Sequence, residues 1–467
     1  MAIALKGLPA FCRVVASVKP VQNSDIKIEV WMPLSNWNGK FLGHGNGGFA
    51  GYLQYGGLQQ ALMAGYATAS TDTGHIGGAA DAEWAIGHPE KVIDFGYRGI
   101  HEMTVKAKLI VAAFYRKSPR YSYFSGCSNG GRAAMMEAER FPSDYSGILA
   151  GAPANNWTLA MAGFVANLQA MSPPGSQIPA PKLELLHAAV LRKCDAQDGL
   201  KDGILTDPRT CRFDPAELLC KTGTTDGCLT APQVEAVQKL YAGLKDAHGN
   251  VLYPGFVPGG ELGAGGWVGW LDAPVLMNSG QFLFGPRYFA DVVYGNPKWD
   301  PYGFQVDREV KASRDKVGDT IAATNTDLSP LAKAGGKLIL YQGWSDAAIA
   351  PMNIVHYYGE IHAGQPPDSF VRLYMIPGMQ HCAGGDGAVD FGQNAFSHDL
   401  QHSIFSNLEN WVENGVAPSA IVAWQHKSPV SLDESDVTMT RPICPYPQVP
   451  RYKGSGDTQK ATNFMCK

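Results

Sequence analysis

The segment at residues 126–130 constrains the fold of this chain more than any other. It reads Gly-Cys-Ser-Asn-Gly, the only G-x-S-x-G in the sequence, between a strand-like run at residues 121–125 and a helix-like run that ends near Phe141. In a sharp strand-to-helix turn, a Cβ at either flanking glycine would clash, and the serine side chain is pushed out of the sheet. The pattern therefore predicts an exposed nucleophile at Ser128. The alternative is a glycine-rich turn before an ordinary helix.

Strand-like and helix-like runs alternate through the first 150 residues. Strand-like runs lie at residues 26–32, 65–71, 121–125 and 146–150. Residues 100–114 carry apolar side chains at helical spacing. Such alternation is typical of a mostly parallel sheet covered by helices.

The alternation is interrupted in the middle of the chain. Residues 155–325 hold four cysteines and several Gly/Pro-rich stretches, and strong strands return only at residues 337–342 and 370–376. We therefore predict one α/β domain in two parts, residues 1–154 and 326–467, with residues 155–325 as a large insertion.

A serine nucleophile needs a base, and the base needs an acid that orients it. In the α/β-hydrolase fold the acid and then the histidine follow the serine along the chain, each in a loop after a strand. Asp346 follows the strand-like run at residues 337–342, and His381 follows the run at residues 370–376 after a Pro-Gly turn. Order and placement predict an α/β-hydrolase fold with Ser128, Asp346 and His381 as its catalytic triad.

Two backbone N–H groups are expected to bind the oxyanion that forms during such a reaction. The N–H of Asn129 begins the helix after the serine, where the helix dipole favours negative charge. The second donor is expected from a glycine-rich loop after an early strand. Residues 43–48 form such a loop, and the sequence does not choose between Gly47 and Gly48.

The nine cysteines include no C-x-x-C pair, which argues against structural zinc. Three close pairs look like disulfides that close short loops: Cys194 with Cys211, Cys220 with Cys228, and Cys444 with Cys466. Cys127 directly precedes the candidate nucleophile, and Cys382 directly follows the candidate base. If nucleophile and base lie within hydrogen-bond reach, these two sulfurs fall within bonding distance. The alternative is a set of reduced thiols.

Disulfides persist in oxidising compartments, so we expect a secreted or periplasmic protein. The first residues, Met-Ala-Ile-Ala-Leu-Lys, lack the regions of a signal peptide. We therefore expect a mature start from which the signal has been removed.

An acidic loop lies within the insertion. Residues 194–204 place three carboxylates at Asp195, Asp198 and Asp202. Oxygen ligands separated by glycines suit a calcium loop, which the carbonyls of Leu200 and Ile204 could complete. The spacing is not that of an EF-hand, and a solvated acidic turn explains it equally well.

The overall charge gives no reason to expect nucleic acid or an anionic membrane as a partner. Lys and Arg number 38 against 42 Asp and Glu, for a net charge of −4. Hydrophobic residues make up 45% of the chain, enough for a large core. No run approaches the roughly 18 apolar residues that a transmembrane helix needs.

Four segments of the chain form a recognisable set: GCSNGGR at 126–132, GAPANNWT at 151–158, GWSDAAIAP at 343–351 and PGMQHCAGG at 377–385. They resemble the tannase and feruloyl esterase family, which includes enzymes similar to mono(2-hydroxyethyl) terephthalate hydrolase. The resemblance covers nearly the whole chain. The adjacent pairs Cys127-Ser128 and His381-Cys382 are its specific mark. Cys12 departs from the pattern, because the other eight cysteines pair and leave it without a partner.

The resemblance implies a disulfide beside the triad and an inserted lid domain that carries a structural calcium ion on the loop at residues 194–204. It also implies a serine carboxylesterase that hydrolyses esters of aromatic acids. Feruloyl-type esters are favoured. Galloyl esters and mono(2-hydroxyethyl) terephthalate are the alternatives. The oligomeric state is not determined.

Aromatic residues of the insertion suit a flat acyl group. For each of them singly, however, the pattern favours a place in the insertion's own core. They are Trp267, Trp270, Phe282, Phe284, Tyr288 and Phe289. We predict Arg287, Tyr288 and Phe289 as substrate-binding residues, with Arg287 as a partner for a substrate carboxylate or phenol. A surface arginine is the alternative.

Two other functional classes fit parts of the pattern. A calcium-dependent carbohydrate-binding module could also be rich in glycine and tryptophan and carry an acidic calcium loop. It would not need a G-x-S-x-G motif followed along the chain by an Asp and then a His. A peptidase on the same fold would share the triad and add a pocket for a peptide terminus.

Overall fold

The computed structural model describes residues 7–263, 265–271, 276–362, 366–393, 399–428 and 434–467. The strands are β1 Phe11–Val18, β2 Ile26–Pro33, β3 Lys40–His44, β4 Ala67–Thr71, β5 Tyr121–Cys127, β6 Gly147–Gly151, β7 Leu244–Lys245, β8 Val251–Tyr253, β9 Lys337–Gly343, β10 Val371–Ile376, β11 Ile421–His426, β12 Val437–Ile443, β13 Pro450–Tyr452 and β14 Phe464–Cys466. The α-helices are α1 Tyr55–Met63, α2 Pro89–Ile93, α3 Gly99–Tyr115, α4 Asn129–Arg140, α5 Trp157–Met171, α6 Ala180–Cys194, α7 Ala231–Ala242, α8 Trp267–Trp270, α9 Gly280–Arg287, α10 Val306–Ser313, α11 Asp319–Ile321, α12 Ser329–Lys333, α13 Pro351–Glu360 and α14 Ile404–Asn414.

Eight strands form one sheet in the order β1-β2-β4-β3-β5-β6-β9-β10. The pairs β1–β2 and β2–β4 are antiparallel, and all other pairs in the sheet are parallel. Parallel neighbours need crossover connections, which here are mostly helical and cover the sheet. With the turn at residues 126–130 at the end of the central strand β5, this is the α/β-hydrolase arrangement that the sequence predicts.

Alternate residues of the central strands enter two different cores, one on each face of the sheet. Ile148 of β6 and Leu340 of β9 pack in one cluster with residues of α3 and α4. Their neighbours Leu149 and Ile339 pack in the opposite cluster with residues of α14. Side chains of a strand alternate between the faces, so a strand that is buried on both faces is mostly apolar.

The predicted strand and helix bounds agree with the structure to within one or two residues. The sequence pattern predicts no strand at β1, at β7 and β8, or at β11 to β14. All eight residues of β1 pair with β2. Because β1 lies at the sheet edge, its burial alternates between half-buried and exposed, and it lacks the continuous apolar run of a central strand.

Residues 152–336 connect β6 to β9 and contain α5 to α12 with the short hairpin β7–β8. Part of this connection has its own core, which includes Leu183, Val237 and Trp267. A second cluster joins the connection to the sheet domain through Phe49 and Trp157. The domain boundaries at 154/155 and 325/326 stay a prediction. None of the helices in the described ranges has the length and apolar character needed to cross a membrane.

Candidate active site

Ser128 lies in a strained turn between β5 and α4. Its backbone has φ +64° and ψ −122°, a conformation that non-glycine residues rarely adopt. The surrounding glycines allow the close approach. A Cβ on Gly126 would lie 2.4 Å from the Gly130 carbonyl oxygen, and one on Gly131 would lie 2.3 Å from the Gly151 carbonyl oxygen. The turn is therefore sterically possible only with glycine at these positions.

His381 and Asp346 form a hydrogen-bonded pair at the carboxyl ends of neighbouring strands. His381 Nδ1 donates to Asp346 Oδ2 at 2.8 Å. The carboxylate also accepts the N–H groups of Ala348 at 2.8 Å and Ile349 at 2.9 Å, and Gln342 Nε2 at 2.7 Å. Asp346 is buried, so these donors stabilise its charge and fix its orientation. Sequence reasoning missed Gln342, which sits within β9 and carries no motif.

A disulfide brings the serine turn to the histidine loop. Cys127 and Cys382 are bonded with their Cα atoms 6.0 Å apart. The structure also bonds the three local pairs, Cys194–Cys211, Cys220–Cys228 and Cys444–Cys466, and leaves Cys12 as a free thiol. The first bond places Ser128 and His381 on adjoining loops, although they lie far apart in the chain.

The candidate oxyanion donors lie beside the same turn. The N–H of Asn129 begins α4, and those of Gly47 and Gly48 belong to the loop after β3. Hydrogen-bond acceptors for these three N–H groups are absent from the described residues. The loop contacts the turn directly, because a Cβ on Gly45 would lie 2.6 Å from Gly130 Cα. The N–H groups at the start of α4 and in the loop after β3 are therefore both available to a ligand.

A row of aromatic rings leads from the histidine to the glycine loop. Trp270 of α8 meets the His381 ring edge-on with centroids 5.2 Å apart, and stacks on Phe284 of α9 at 6.3 Å. Phe284 lies 5.6 Å from Phe49 and borders Gly48. Trp270 and Phe284 are half-buried, so part of each residue is accessible to solvent.

The three residues predicted to bind substrate lie in different surroundings. Arg287 is half-exposed one turn beyond Phe284, and its nearest carboxylate is Glu83 at 3.7 Å. Tyr288 is fully buried and bonds to Ser313 Oγ at 2.6 Å. Phe289 is also fully buried, in the core cluster shared with the sheet domain. Of the three, only Arg287 has a side chain that reaches the surface.

The acidic loop lies next to the Cys194–Cys211 disulfide. Asp195 accepts from Gly203 N at 3.2 Å, and Asp198 accepts from Leu200 N and Thr206 N, both at 3.1 Å. Burial and the nearby charges of Asp202 and Asp198 raise the pKa of Asp195. Asp202 accepts from Ile204 N at 3.3 Å and from Arg441 Nη2 at 2.7 Å.

The chemistry of this loop fits calcium, which takes carboxylate and carbonyl oxygens. Three acidic side chains gathered on one short loop repel one another, and a divalent cation would relieve that repulsion. The carboxylate oxygens of Asp195, Asp198 and Asp202, taken one from each residue, do not all lie within 4.8 Å of one another.

A separate group, which the acidic loop does not match in compactness, brings three ligand-type atoms within 4.8 Å of one another in the described part of the chain: His101, Glu137 and Asp144. His101 Nδ1 lies 2.7 Å from Asp144 Oδ2. Burial, and secondarily the charge of Asp144, raises the pKa of Glu137 well above its ordinary value. Lys108 donates to the Asp144 carbonyl and brings a positive charge to the same place. The His101–Asp144 contact joins α3 to the turn between α4 and β6.

Comparison with known proteins gives one consistent result. Residues 12–467 match the family model described as tannase and feruloyl esterase. An uncharacterized esterase of Xanthomonas campestris is 38% identical over 99% of this chain and 85% of its own length. A probable feruloyl esterase B of Emericella nidulans is 34% identical over 97% of this chain and 86% of its own length. The crystal structure of feruloyl esterase B from Aspergillus oryzae superposes with a TM-score of 0.89 at 31% identity, covering 98% of this chain and 90% of that one.

Proposed function

This chain belongs to the tannase and feruloyl esterase family of carboxylic ester hydrolases, and from that premise we propose that it is a serine carboxylesterase acting on esters of aromatic acids. Ser128 is the nucleophile, His381 the general base and Asp346 the residue that orients the base. The observation that carries the proposal is the hydrogen bond from His381 to a buried Asp346, with the disulfide next to His381 anchored beside Ser128.

The chemistry follows from the protonation states that this geometry favours. His381 Nδ1–H points at Asp346, which leaves Nε2 as the proton acceptor. Nε2 takes the Ser128 Oγ proton as Oγ attacks the ester carbonyl, and the carbonyl π electrons move to its oxygen. The imidazolium then gives that proton to the departing alcohol. Water repeats the sequence on the acyl-enzyme, releasing the acid and free Ser128.

Backbone N–H groups bind the oxyanion in both tetrahedral intermediates. The N–H of Asn129 and that of Gly47 or Gly48 serve this purpose, since each lacks an acceptor among the described residues. Preorganised donors that need not rotate during the reaction stabilise the charge more than water does.

The acyl group is held by the aromatic row. Trp270 and Phe284 lie between the His381 ring and Gly48, at the right place for a flat ring next to the reacting carbonyl. Relatives named as probable feruloyl esterases favour a feruloyl-type acyl group. Arg287 is the proposed partner for a phenol or carboxylate, and a substrate anion there competes with Glu83. Tyr288 and Phe289 support this wall from within the core.

Two further properties belong to the proposal. The insertion acts as a lid over the site, and Asp195, Asp198 and Asp202, with the Leu200 and Ile204 carbonyls, hold a structural Ca²⁺ within it. The ion neutralises the loop carboxylates and takes no part in the reaction. The four disulfides support a secreted or periplasmic location.

Ser128→Ala tests the mechanism. Hydrolysis of a p-nitrophenyl ester should fall by on the order of 10⁶-fold while the melting temperature stays within a few degrees. Activity within tenfold of wild type would remove Ser128 from the nucleophile role. A product screen on methyl ferulate, methyl gallate and mono(2-hydroxyethyl) terephthalate then ranks the acyl groups, and preference for either of the last two would overturn the feruloyl assignment.

A further inference from the structure

Arg132 is a fully buried cation one turn after the nucleophile. Its guanidinium donates to Asn129 Oδ1 at 2.7 Å and to the carbonyl oxygens of Gly96 at 2.7 Å, Ile321 at 3.1 Å and Phe95 at 3.0 Å. All four acceptors are neutral. The rings of Phe95 and Trp157 flank the guanidinium carbon at 4.8 and 5.6 Å.

Such a placement is costly unless the charge has a use. Burial lowers the pKa of Arg132, as expected for a cation removed from water. A buried charge is normally matched by an opposite charge, whereas here only dipoles and ring faces compensate it. An apolar residue in this position would avoid that cost, but it would leave Asn129 Oδ1 and three main-chain carbonyl oxygens without this donor, so hydrogen bonding rather than packing explains the arginine.

The side chain that Arg132 holds connects the two halves of the oxyanion site. Asn129 accepts from Arg132 through Oδ1, and its Nδ2 donates to the main-chain oxygen of Asn46 at 3.3 Å. This contact fixes the amide orientation, because the oxygen must face the guanidinium and the NH₂ must face the carbonyl.

The Asn46 carbonyl and the Gly47 N–H belong to one planar trans peptide, in which they point in opposite directions. Anchoring the carbonyl on Asn129 therefore directs the Gly47 N–H away from α4's side chains. The Asn46 side chain steadies the loop further, since its Nδ2 donates to Ala50 O at 3.0 Å. Gly47 borders open space, because a Cβ there would meet no atom within 4 Å.

We propose that Arg132, through the Asn129 side chain, orients and polarises the Asn46–Gly47 peptide as the second oxyanion donor, which assigns this role to Gly47. The proposal rests on the serine esterase function proposed above. Arg132 is a positioning residue that does not touch substrate. Its positive charge aligns the Asn129 amide dipole and, through it, the Asn46–Gly47 peptide dipole, and linked hydrogen bonds strengthen one another. The gain appears only when the oxyanion forms, so it lowers the reaction barrier and leaves substrate binding unchanged.

The sharpest test is Asn129→Asp. The aspartate is nearly isosteric, keeps the backbone N–H of residue 129 and forms an ion pair with Arg132, but it cannot donate to the Asn46 carbonyl. We expect kcat for a p-nitrophenyl ester to fall about 10- to 100-fold. This loss is no larger than the loss of about 100- to 1,000-fold that removal of a whole oxyanion donor typically causes. KM and inhibition by the product ferulic acid should stay within twofold. Inhibition by phenylboronic acid, which forms a tetrahedral adduct on a serine, should weaken in proportion to kcat/KM.

Arg132→Met removes the charge and all four hydrogen bonds. It should likewise lower kcat and leave KM within twofold of wild type. If it does not fold, Asn129→Asp decides by itself. Arg140→Met, an exposed arginine on the same helix, is the matched control and should leave kcat within twofold.

A folded Asn129→Asp variant with kcat within threefold of wild type would overturn the proposal. So would equal weakening of ferulic acid and phenylboronic acid, because general distortion of the site affects both. Ser128→Ala separates this failure from that of the parent proposal. An active Ser128→Ala enzyme rejects the serine mechanism, whereas an inactive one combined with a fully active Asn129→Asp rejects only the role of Arg132.

Discussion

Cys127 and Cys382 form a disulfide between residues that lie 255 positions apart in the chain. One precedes Ser128 and the other follows His381, so a single covalent bond limits how far apart the proposed nucleophile and base can lie. The loops that carry them come from β5 and β10, which are not neighbours in the sheet.

Replacing both Cys127 and Cys382 by alanine should therefore reduce kcat by about 10- to 100-fold. A misplacement of about 1 Å in catalytic geometry has an effect of this size. Loss of the long loop closure should also lower stability by a few kcal/mol. The measurements are steady-state kinetics and thermal unfolding of the double variant.

The control is Cys220→Ala with Cys228→Ala, which opens a bond of sequence separation 8 within the insertion. It should leave kcat within twofold. Titration of the denatured, unreduced wild-type protein should find one thiol, Cys12. Equal loss of activity in the two double variants would show that the Cys127–Cys382 bond has no special effect on the site.

Trp270→Ala should weaken the enzyme's preference for aromatic acyl groups. The ring lies 5.2 Å from the His381 ring, and loss of one aromatic contact typically costs about 0.5–1.5 kcal/mol. We expect kcat/KM for p-nitrophenyl ferulate to fall about 3- to 10-fold, with little change for p-nitrophenyl acetate, which has the same leaving group. Tyr302→Ala, at an exposed ring, is the control. Equal losses on both esters would place Trp270 outside the acyl site.

Removal of calcium should lower the thermal stability without changing the chemistry. An ion at 100 times its dissociation constant stabilises the native state by about 2.7 kcal/mol. A chelator should lower the melting temperature of wild type, and Ca²⁺ should restore it. Asp198→Asn should abolish this response, whereas Asp246→Asn, at an exposed turn, should keep it. An unchanged melting temperature in chelator, together with no metal found by elemental analysis, would reject the site.

His44 should make the protein less stable in mild acid. Burial lowers the pKa of His44 to about 4 from its ordinary value near 6.5. Between pH 6.5 and 4, His44 is therefore protonated in the unfolded chain but neutral in the folded protein. The contribution of His44 is intact above pH 6.5 and is lost as pH falls towards 4, on the order of 2 kcal/mol between pH 7.5 and 5. Burial of His75, whose pKa is also lowered to about 4, adds an effect of the same sign.

His44→Phe should reduce that difference, because the ring is kept and Nε2 has no hydrogen-bond partner to lose. The measurement is denaturant unfolding at pH 7.5 and pH 5. His248→Phe, at an exposed position, should behave as wild type. A pH dependence identical in His44→Phe and wild type would mean that His44 is protonated in the folded protein.

The central sheet and the chain order of the candidate site residues are predictable from the amino-acid sequence alone. A strand buried on both faces is mostly apolar, so β5, β6, β9 and β10 stand out in the sequence as short strand-like runs. The turn at residues 126–130 needs glycines for steric reasons that act within a few residues. Asp346 and His381 followed from their places after strands, because parallel strands end at one edge of the sheet.

Which of several similar side chains reach the site depends on the packing of distant segments and is not visible in the sequence. Trp267 and Trp270 are three residues apart in α8, yet Trp267 packs in the core of the connection and Trp270 faces His381. Arg287 reaches the surface while Tyr288 beside it is fully buried. The Asn129 side chain meets Asn46, 83 positions away. Local patterns report which residues prefer burial, because hydrophobicity and backbone sterics act at each residue. They do not report the partner, because contacts between distant segments depend on how the whole chain packs.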